Sequence, residues 1–121
     1  MAVTLSDAAR DDMNDALDAA VGASGELILR TGSPPAAADD ASTGTVLATL
    51  SLPSPAFAAS SGGVMAKNGS WSGTGAAAAG GGTNIGHFEL TNGTNVIGRG
   101  TVTATSGGGD LELDNISIAN G

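Results

Sequence analysis

The spacing of apolar residues changes once along this chain, at the glycines Gly22 and Gly25. Before these glycines, apolar residues recur every three or four positions, which is the period of an amphipathic α-helix. After them, apolar and polar residues alternate in short runs, which is the period of a β-strand. The sequence therefore predicts one helix followed by a β-rich body.

The predicted helix begins after Ser6, whose hydroxyl can cap the first turn, and Asp7 then lies at the positive end of the helix dipole. Its apolar stripe combines alanines with Met13, Leu17 and Val21, and aspartates fill the intervening positions. A short, Ala-rich helix is marginal alone in water, so it must pack against something. Two alternatives stay open: the chain's own body or a partner.

Turn residues divide the remainder into seven to eight predicted short strands, spaced about 8 to 12 residues apart, as in sandwiches and barrels. The best-defined runs are residues 26–30, 45–52, 84–90, 96–105 and 110–119. Asn92-Gly93 between the third and fourth runs is a strong hairpin signal. In the second run, alternation places Leu47 on the face opposite Val46 and Ala48.

Weaker signals complete the predicted architecture. Trp71 is assigned to a short strand, residues 31–44 to a surface loop, and a slip of parity near Asp114 to a β-bulge. We predict a mainly β, jelly-roll-like antiparallel sandwich of seven to eight strands with one N-terminal α-helix. Residues 1–24 form the arm and the helix, and residues 25–121 form the sandwich of a single domain overall.

The core of this sandwich is predicted to be thin. The chain has two Phe, one Trp and no Tyr, so Ala, Val, Leu and Ile must supply most of the apolar volume. Aromatic side chains bury about 150 to 250 Å² each, and a chain with so few of them gains by burying more surface against copies of itself or a partner. Self-association is therefore expected.

Charge and cysteine content restrict the classes of partner and site. Four Lys and Arg against twelve Asp and Glu give a net charge of −8, which repels phosphate backbones and anionic lipids. We therefore expect neither nucleic acid nor a membrane as a partner. With no Cys, disulfides and thiolate zinc sites are excluded. No segment is typical of an export signal or a membrane-spanning helix, so a soluble protein is predicted.

Three groups of residues are candidates for a chemical role. His87 is the single histidine, and alternation places it with Glu89 on the solvent face of a strand, which favours an ordinary exposed or interface histidine over a catalytic base. Asp110, Glu112 and Asp114 alternate along the last strand and could bind calcium, but a solvated or partner-facing acidic edge is favoured.

The third group is the glycine-rich segment of residues 73–82. It lacks the Gly-Lys-Ser/Thr ending of a phosphate-binding loop, so closely packed backbone is favoured. From these three groups the sequence predicts no catalytic residue, no metal ligand and no cofactor, and the protein is not expected to be an enzyme.

Several segments, taken in order, resemble small virion proteins of tailed phages and prophages of proteobacteria. They are Leu5-Ser6-Asp7-Ala8-Ala9-Arg10, Gly25-Glu26-Leu27, Leu47-Ala48-Thr49-Leu50-Ser51-Leu52, Ser54-Pro55-Ala56-Phe57, the Asn-Gly hairpin and Asp110-Leu111-Glu112-Leu113. The resemblance covers most of the chain and implies a capsid decoration or cement protein, a role often filled by small β-rich trimers. In such proteins a further β segment can follow the last strand, and we expect a neighbouring subunit to complete the sheet here.

The resemblance implies a non-enzymatic protein on the outer capsid surface of a virion, present in the host cytoplasm before assembly. Its expected partners are the major capsid protein and further copies of itself, as a homotrimer. Residues 1–5 are predicted to add to the sheet edge of another subunit. The expected interface residues are Val3, Leu5, Met13, Leu17, Val21 and Trp71.

Two alternatives to a head decoration protein remain. One is a structural protein of the tail or of the neck between head and tail. The other is a carbohydrate-binding module or small hydrolase on a jelly-roll frame, for which Trp71 would be the exposed aromatic platform.

Overall fold

A computed structural model describes residues 3–76, 83–104, 107–113 and 117–118. Helix α1, Asp7–Val21, begins and ends where the sequence predicts. The hydroxyl oxygen of Ser6 accepts a hydrogen bond from the Ala9 amide at 3.2 Å. At the other end Gly22 takes a positive φ of 66°, and its amide donates to the Asp18 carbonyl. Glycine adopts this backbone conformation without the steric penalty of a Cβ atom.

The described strands are eight in number and short. They are β1 Glu26–Arg30, β2 Val46–Ser51, β3 Ser72–Gly75, β4 Thr83–Asn84, β5 His87–Thr91, β6 Val96–Ala104, β7 Leu111–Leu113 and β8 Ser117–Ile118. Five of them form an open antiparallel sheet in the order β3-β2-β1-β5-β6, and β7 extends it as a parallel neighbour of β6. Strands β4 and β8 pair separately.

The predicted N-terminal helix and mainly β body are confirmed by this architecture. The jelly-roll-like sandwich is not confirmed, because the large sheet of the described residues is a single open one. Strand β1 is confirmed, and so is the predicted hairpin, which pairs β5 with β6. In the turn between β5 and β6, the side-chain oxygen of Asn92 accepts from the Thr94 and Asn95 amides at 3.0 and 2.7 Å, and Gly93 has a φ of 89°.

Two strand predictions need correction, and a third concerns residues outside the described set. The run at residues 84–90 divides into β4 and β5, because Gly86 passes so close to Gly32 that a Cβ atom would lie 2.1 Å from the Gly32 oxygen. Trp71 lies just before β3 rather than within a strand. The predicted bulge near Asp114 falls outside the described residues.

The two faces of the sheet differ in character. On what we call the apolar face, Leu27 and Leu29 of β1 lie beside Leu90 of β5 and are buried with Val102 of β6. Val21 of the helix is fully buried in the same core. Residues directly opposite on paired strands share a face, so the other side, the polar face, carries the alternate residues of β1, β5 and β6.

Leu47 departs from the predicted alternation. Pairing between β1 and β2 shifts register between Leu29 and Arg30, which pair with Ala48 and Val46, and Leu47 between them is left without a partner residue across the ladder. Leu47 and Ala48 are then both buried in the core. A shift of this kind lets consecutive residues escape strict alternation, which explains why a period-two pattern misplaced Leu47.

Candidate functional site

The polar face contains a carboxylate that the sequence placed in solvent. Glu89 of β5 is 1% exposed, so the predicted solvent-facing position is wrong. The reason is the loop between β1 and β2, residues 31–45, which folds back over the polar face and which we call the strap. Polar residues on one side of a strand look solvent-exposed in a sequence even when a loop covers them.

Both oxygens of the Glu89 carboxylate are held by neighbouring side chains. Oε1 accepts from Nε of Arg30, which lies on β1 opposite His87 and thus diagonal to Glu89. Oε2 accepts from Ser42 Oγ at 2.7 Å and from Arg99 Nε at 2.9 Å. The side chains of Arg99 and Glu89 are only 4% and 1% exposed. A buried charge is tolerated only when it is paired and hydrogen-bonded in this way.

Arg99 also fixes the course of the strap. Its Nη1 donates to the main-chain oxygens of Ala37, Ala38 and Asp40 at 3.1, 2.6 and 2.8 Å. Its Nη2 donates to Ser42 Oγ at 3.0 Å. Because the donors of this guanidinium lie in a fixed fork, they position several strap groups together. Arg99 therefore ties the strap to the sheet.

His87 lies on the same face and is fully buried, which contradicts the prediction of an exposed or interface histidine. Its Nδ1 lies 2.9 Å from the carbonyl oxygen of Gly32, at the start of the strap. A carbonyl oxygen only accepts, so Nδ1 carries the proton. Among the described residues, Nε2 has no hydrogen-bond partner. His87 thus adds a third attachment between sheet and strap.

These hydrogen bonds do not form a catalytic arrangement. A nucleophile-activating triad needs a hydroxyl bonded to the histidine and a carboxylate behind it. Here Ser42 donates directly to Glu89, whereas His87 bonds to Gly32. Burial would raise the pKa of Glu89, but the hydrogen bonds from Ser42 and Arg99 and the charge of Arg30 outweigh burial and lower it. Glu89 is an ionised anchor rather than a proton donor.

Asp110, at the end of the sheet, is likewise engaged by its own chain. Asp110 accepts through Oδ2 from the Thr101 amide at 2.8 Å and from the Thr101 hydroxyl at 3.0 Å. These bonds lower the pKa of the Asp110 carboxyl. Asp114 and the Glu112 side chain lie outside the described set. Within that set, no three His, Asp or Glu side chains are grouped to hold a metal ion.

The helix docks through its polar residues. Asp11 accepts from Ser60 Oγ at 2.6 Å and from the Gly63 amide at 2.8 Å. Asn14 donates to Ser60 Oγ at 3.0 Å, and Asp18 accepts from the Phe57 amide at 3.2 Å. Spacings of three and four place these side chains on one stripe. The prediction that the helix must pack is satisfied by its own body, through hydrogen bonds and Val21.

Met13 and Leu17 of the apolar stripe consequently face away from the body, whereas Val21 of the same stripe is buried in it. Met13 is 61% exposed and Leu17 is 36% exposed. In the segment before the helix, residues 3–6, which we call the arm, Val3 is 86% exposed and Leu5 is 48% exposed. Four of the predicted interface residues are therefore available for contact. Val21 is not, because it is completely buried within its own chain.

Trp71, the remaining predicted interface residue, borders an opening in the apolar face. The opening has a volume of about 210 Å³, and we call it the aromatic cleft. Its lining residues are Leu27, Phe57, Trp71, Phe88, Leu90, Asp110 and Leu111. The rings of Phe57 and Trp71 meet edge to face with centroids 5.1 Å apart, and Trp71 Nε1 donates to the Ala56 oxygen at 3.2 Å.

The sequence did not reveal this cleft, because its lining comes from five separate segments of the chain. The one available signal was composition, since all of the aromatic residues of the chain, two Phe and one Trp, line it. Comparison with protein-family models, with curated proteins and with solved structures gave no match. Within the described part of the chain, no helix is both long and apolar enough to cross a membrane.

Proposed function

We propose that this protein is a non-enzymatic structural protein of a tailed-phage virion, of the capsid decoration or cement type, and that it binds the outer surface of the major capsid protein lattice. The observation that carries the proposal is the exposure of four apolar residues on the arm and the helix, Val3, Leu5, Met13 and Leu17. Met13 and Leu17 are one helical turn apart and so adjoin on the helix surface, and adjoining exposed apolar groups mark interaction surfaces.

The use of the polar groups supports the non-enzymatic part of the proposal. Glu89, Arg99 and Ser42 satisfy one another and the strap, and Asp110 is bonded to Thr101. Catalytic groups instead need a proton or lone pair that is free to act on a substrate. The net charge of −8 fits a protein that meets a basic protein surface rather than packaged DNA.

The proposal includes two further features, a jelly-roll-like sandwich and a homotrimer. A jelly-roll-like sandwich needs a second layer over the apolar face, where the aromatic cleft opens. On this proposal, neighbouring copies in a homotrimer supply that cover. Burial of the cleft between subunits would compensate for the thin core of each chain.

Binding to capsids that lack the protein is the direct test. We expect the purified protein to saturate such capsids, and the double substitution Met13→Ser and Leu17→Ser to reduce occupancy severalfold. Val64→Ser is the matched control, because Val64 is 69% exposed but lies outside the arm and the helix. If both variants occupied capsids as fully as wild type does, the helix stripe would have no role in capsid binding.

Copy number separates a head protein from the tail or neck alternative. A head decoration protein should be present in hundreds of copies per virion, whereas a closed ring in the neck holds about a dozen or fewer. Quantitative protein staining of purified virions measures this number. A count near a dozen, with no binding to isolated capsids, would refute the head location.

A further inference from the structure

The aromatic cleft is large enough to hold apolar side chains from another segment. Its volume is about 210 Å³, whereas a cavity of about 150 Å³ lined by apolar residues already binds benzene. Asp110 is the charged residue of the lining, and its Oδ2 is engaged by Thr101. The cleft therefore favours uncharged, aliphatic or aromatic groups.

The cleft also borders the end of the sheet. Leu111, one of its lining residues, belongs to β7, and among the described strands β7 is the last in the order β3-β2-β1-β5-β6-β7. An outer strand offers backbone groups to an added strand, and pockets beside it accept alternate side chains of that strand. This location suits an extended segment better than a helix.

The arm has the shape that such a site requires. Residues 3–6 lie outside any helix or strand, and Ser6 has extended backbone angles. Val3 and Leu5 are two positions apart, so in an extended conformation they point to the same side, about 7 Å apart. Both are highly exposed. Two neighbouring apolar side chains could thus enter one cleft together.

Charge distinguishes the arm from the other exposed apolar surface. The stripe of Met13 and Leu17 is flanked by Asp12 and Asp15, so bringing it to the cleft would place carboxylates near Asp110. Residues 3–6, Val-Thr-Leu-Ser, carry no charged side chain. For a molecule with a net charge of −8, the arm can therefore approach the cleft of another copy with less repulsion than the stripe of Met13 and Leu17.

We propose that Val3 and Leu5 of one copy insert into the aromatic cleft of a second copy, with the arm lying along β7. This inference rests on the proposed function, since it names the contact by which copies associate. The arm and the cleft are different surfaces, so the contact is head to tail. Such contacts close into a ring when the rotation between successive copies permits it, as in a trimer.

Disulfide cross-linking tests the contact directly, because the chain contains no Cys. The single variants Leu5→Cys and Leu111→Cys are prepared, mixed without capsids and oxidised. We expect a covalent dimer in the mixture and little in either variant alone. The matched control mixes Val64→Cys with Leu111→Cys and should remain uncross-linked, since Val64 belongs to neither surface.

Other occupants give other products, and each would overturn the proposal. Efficient dimers of Leu5→Cys alone, or of Met13→Cys alone, would show that arms or helices pair with their own kind. A double variant Leu5→Cys and Leu111→Cys that forms its disulfide within a monomer would show that the arm fills the cleft of its own chain. Absence of any product would show that the arm stays free.

The fluorescence of Trp71, the single Trp, reports on the same cleft without cross-links. Burial by an arm should shift its emission to shorter wavelength as wild-type concentration rises, in step with mass by sedimentation. Val3→Ser with Leu5→Ser should weaken association roughly a hundredfold or more, and Val64→Ser should leave it unchanged. A monomer at all concentrations whose Trp71 emission responds to the uncharged apolar dye N-phenyl-1-naphthylamine would assign the cleft to small molecules and overturn the proposal.

Neither measurement contains capsids, so their failure is distinct from failure of the proposed function. A protein that decorates capsids but forms no cross-link contradicts only the contact between arm and cleft. A protein that forms the cross-link but does not bind capsids contradicts only the virion role.

Discussion

On the polar face, the strap brings a hydroxyl and three main-chain oxygens onto Glu89 and Arg99, and the buried charges have partners within one chain. On the apolar face, the aromatic cleft remains open between Phe57, Trp71 and Phe88. An unpaired buried charge is far more costly than exposed apolar surface. In a protein that associates with other copies, buried charges must therefore be paired within the chain before association. Apolar groups can instead remain exposed until a partner covers them.

The most disruptive way to test this contrast is to remove the carboxylate. Glu89→Ala leaves Arg30 and Arg99 facing each other under the strap, and breaking a buried pair in this way typically costs about 3–5 kcal/mol. Urea unfolding of the variant measures the loss. Asp39→Ala, an exposed carboxylate of the same strap, should change stability by less than about 0.5 kcal/mol. Equal effects of both substitutions would contradict an anchoring role for Glu89.

A smaller effect should follow from acid, because protonation of Glu89 leaves both oxygens in place. The pKa of Glu89 is lowered in the folded state from an ordinary value of 4.5. Its stabilisation is therefore fully present above that value and is lost as the pH falls towards the folded pKa. Glu89→Gln cannot titrate, so its stability difference from wild type should narrow between about pH 6 and about pH 3. If the stability difference between Glu89→Gln and wild type stayed constant over this pH range, Glu89 would not be an ionised anchor.

The smallest effect compares the two sides of the helix. Asn14→Ala removes the hydrogen bond to Ser60 and should cost about 1 kcal/mol. Met13→Ala removes a larger apolar side chain but should leave the stability of the monomer within about 0.5 kcal/mol, because Met13 faces solvent. Thermal unfolding at low protein concentration measures both. A larger loss from Met13→Ala would mean that the apolar stripe, not the polar one, holds the helix in place.

Local signals in the sequence were sufficient for several elements. Ser6 and Gly22 bound the helix because capping depends on neighbouring residues only. Asn92-Gly93 set the hairpin of β5 and β6 for the same reason. The hairpin register also contained a usable signal for the site, since it places Arg99 directly opposite Glu89. Reading that pair as a charged contact would have questioned the solvent-facing assignment of Glu89.

Other features depended on contacts between distant segments and could not be predicted. The strap contacts His87 through Gly32, 55 positions away in the chain, and Glu89 through Ser42, 47 positions away. The helix has both a polar and an apolar stripe, and periodicity does not tell which one meets the body. The loop near Ser60 and Gly63 offers hydroxyl and backbone groups, which suit Asp11 and Asn14 rather than Met13.

The manner in which Arg99 holds the strap has a consequence for sequence variation. Its Nη1 binds only main-chain oxygens, those of Ala37, Ala38 and Asp40, and every amino acid supplies such an oxygen. Substitutions at the two alanines can therefore accumulate without loss of the contact. Insertion or deletion of a residue there would instead move the oxygens out of reach of a rigid guanidinium. At residues 37 and 38, unlike in most surface loops, residue identity is therefore free to vary while the number of residues is constrained.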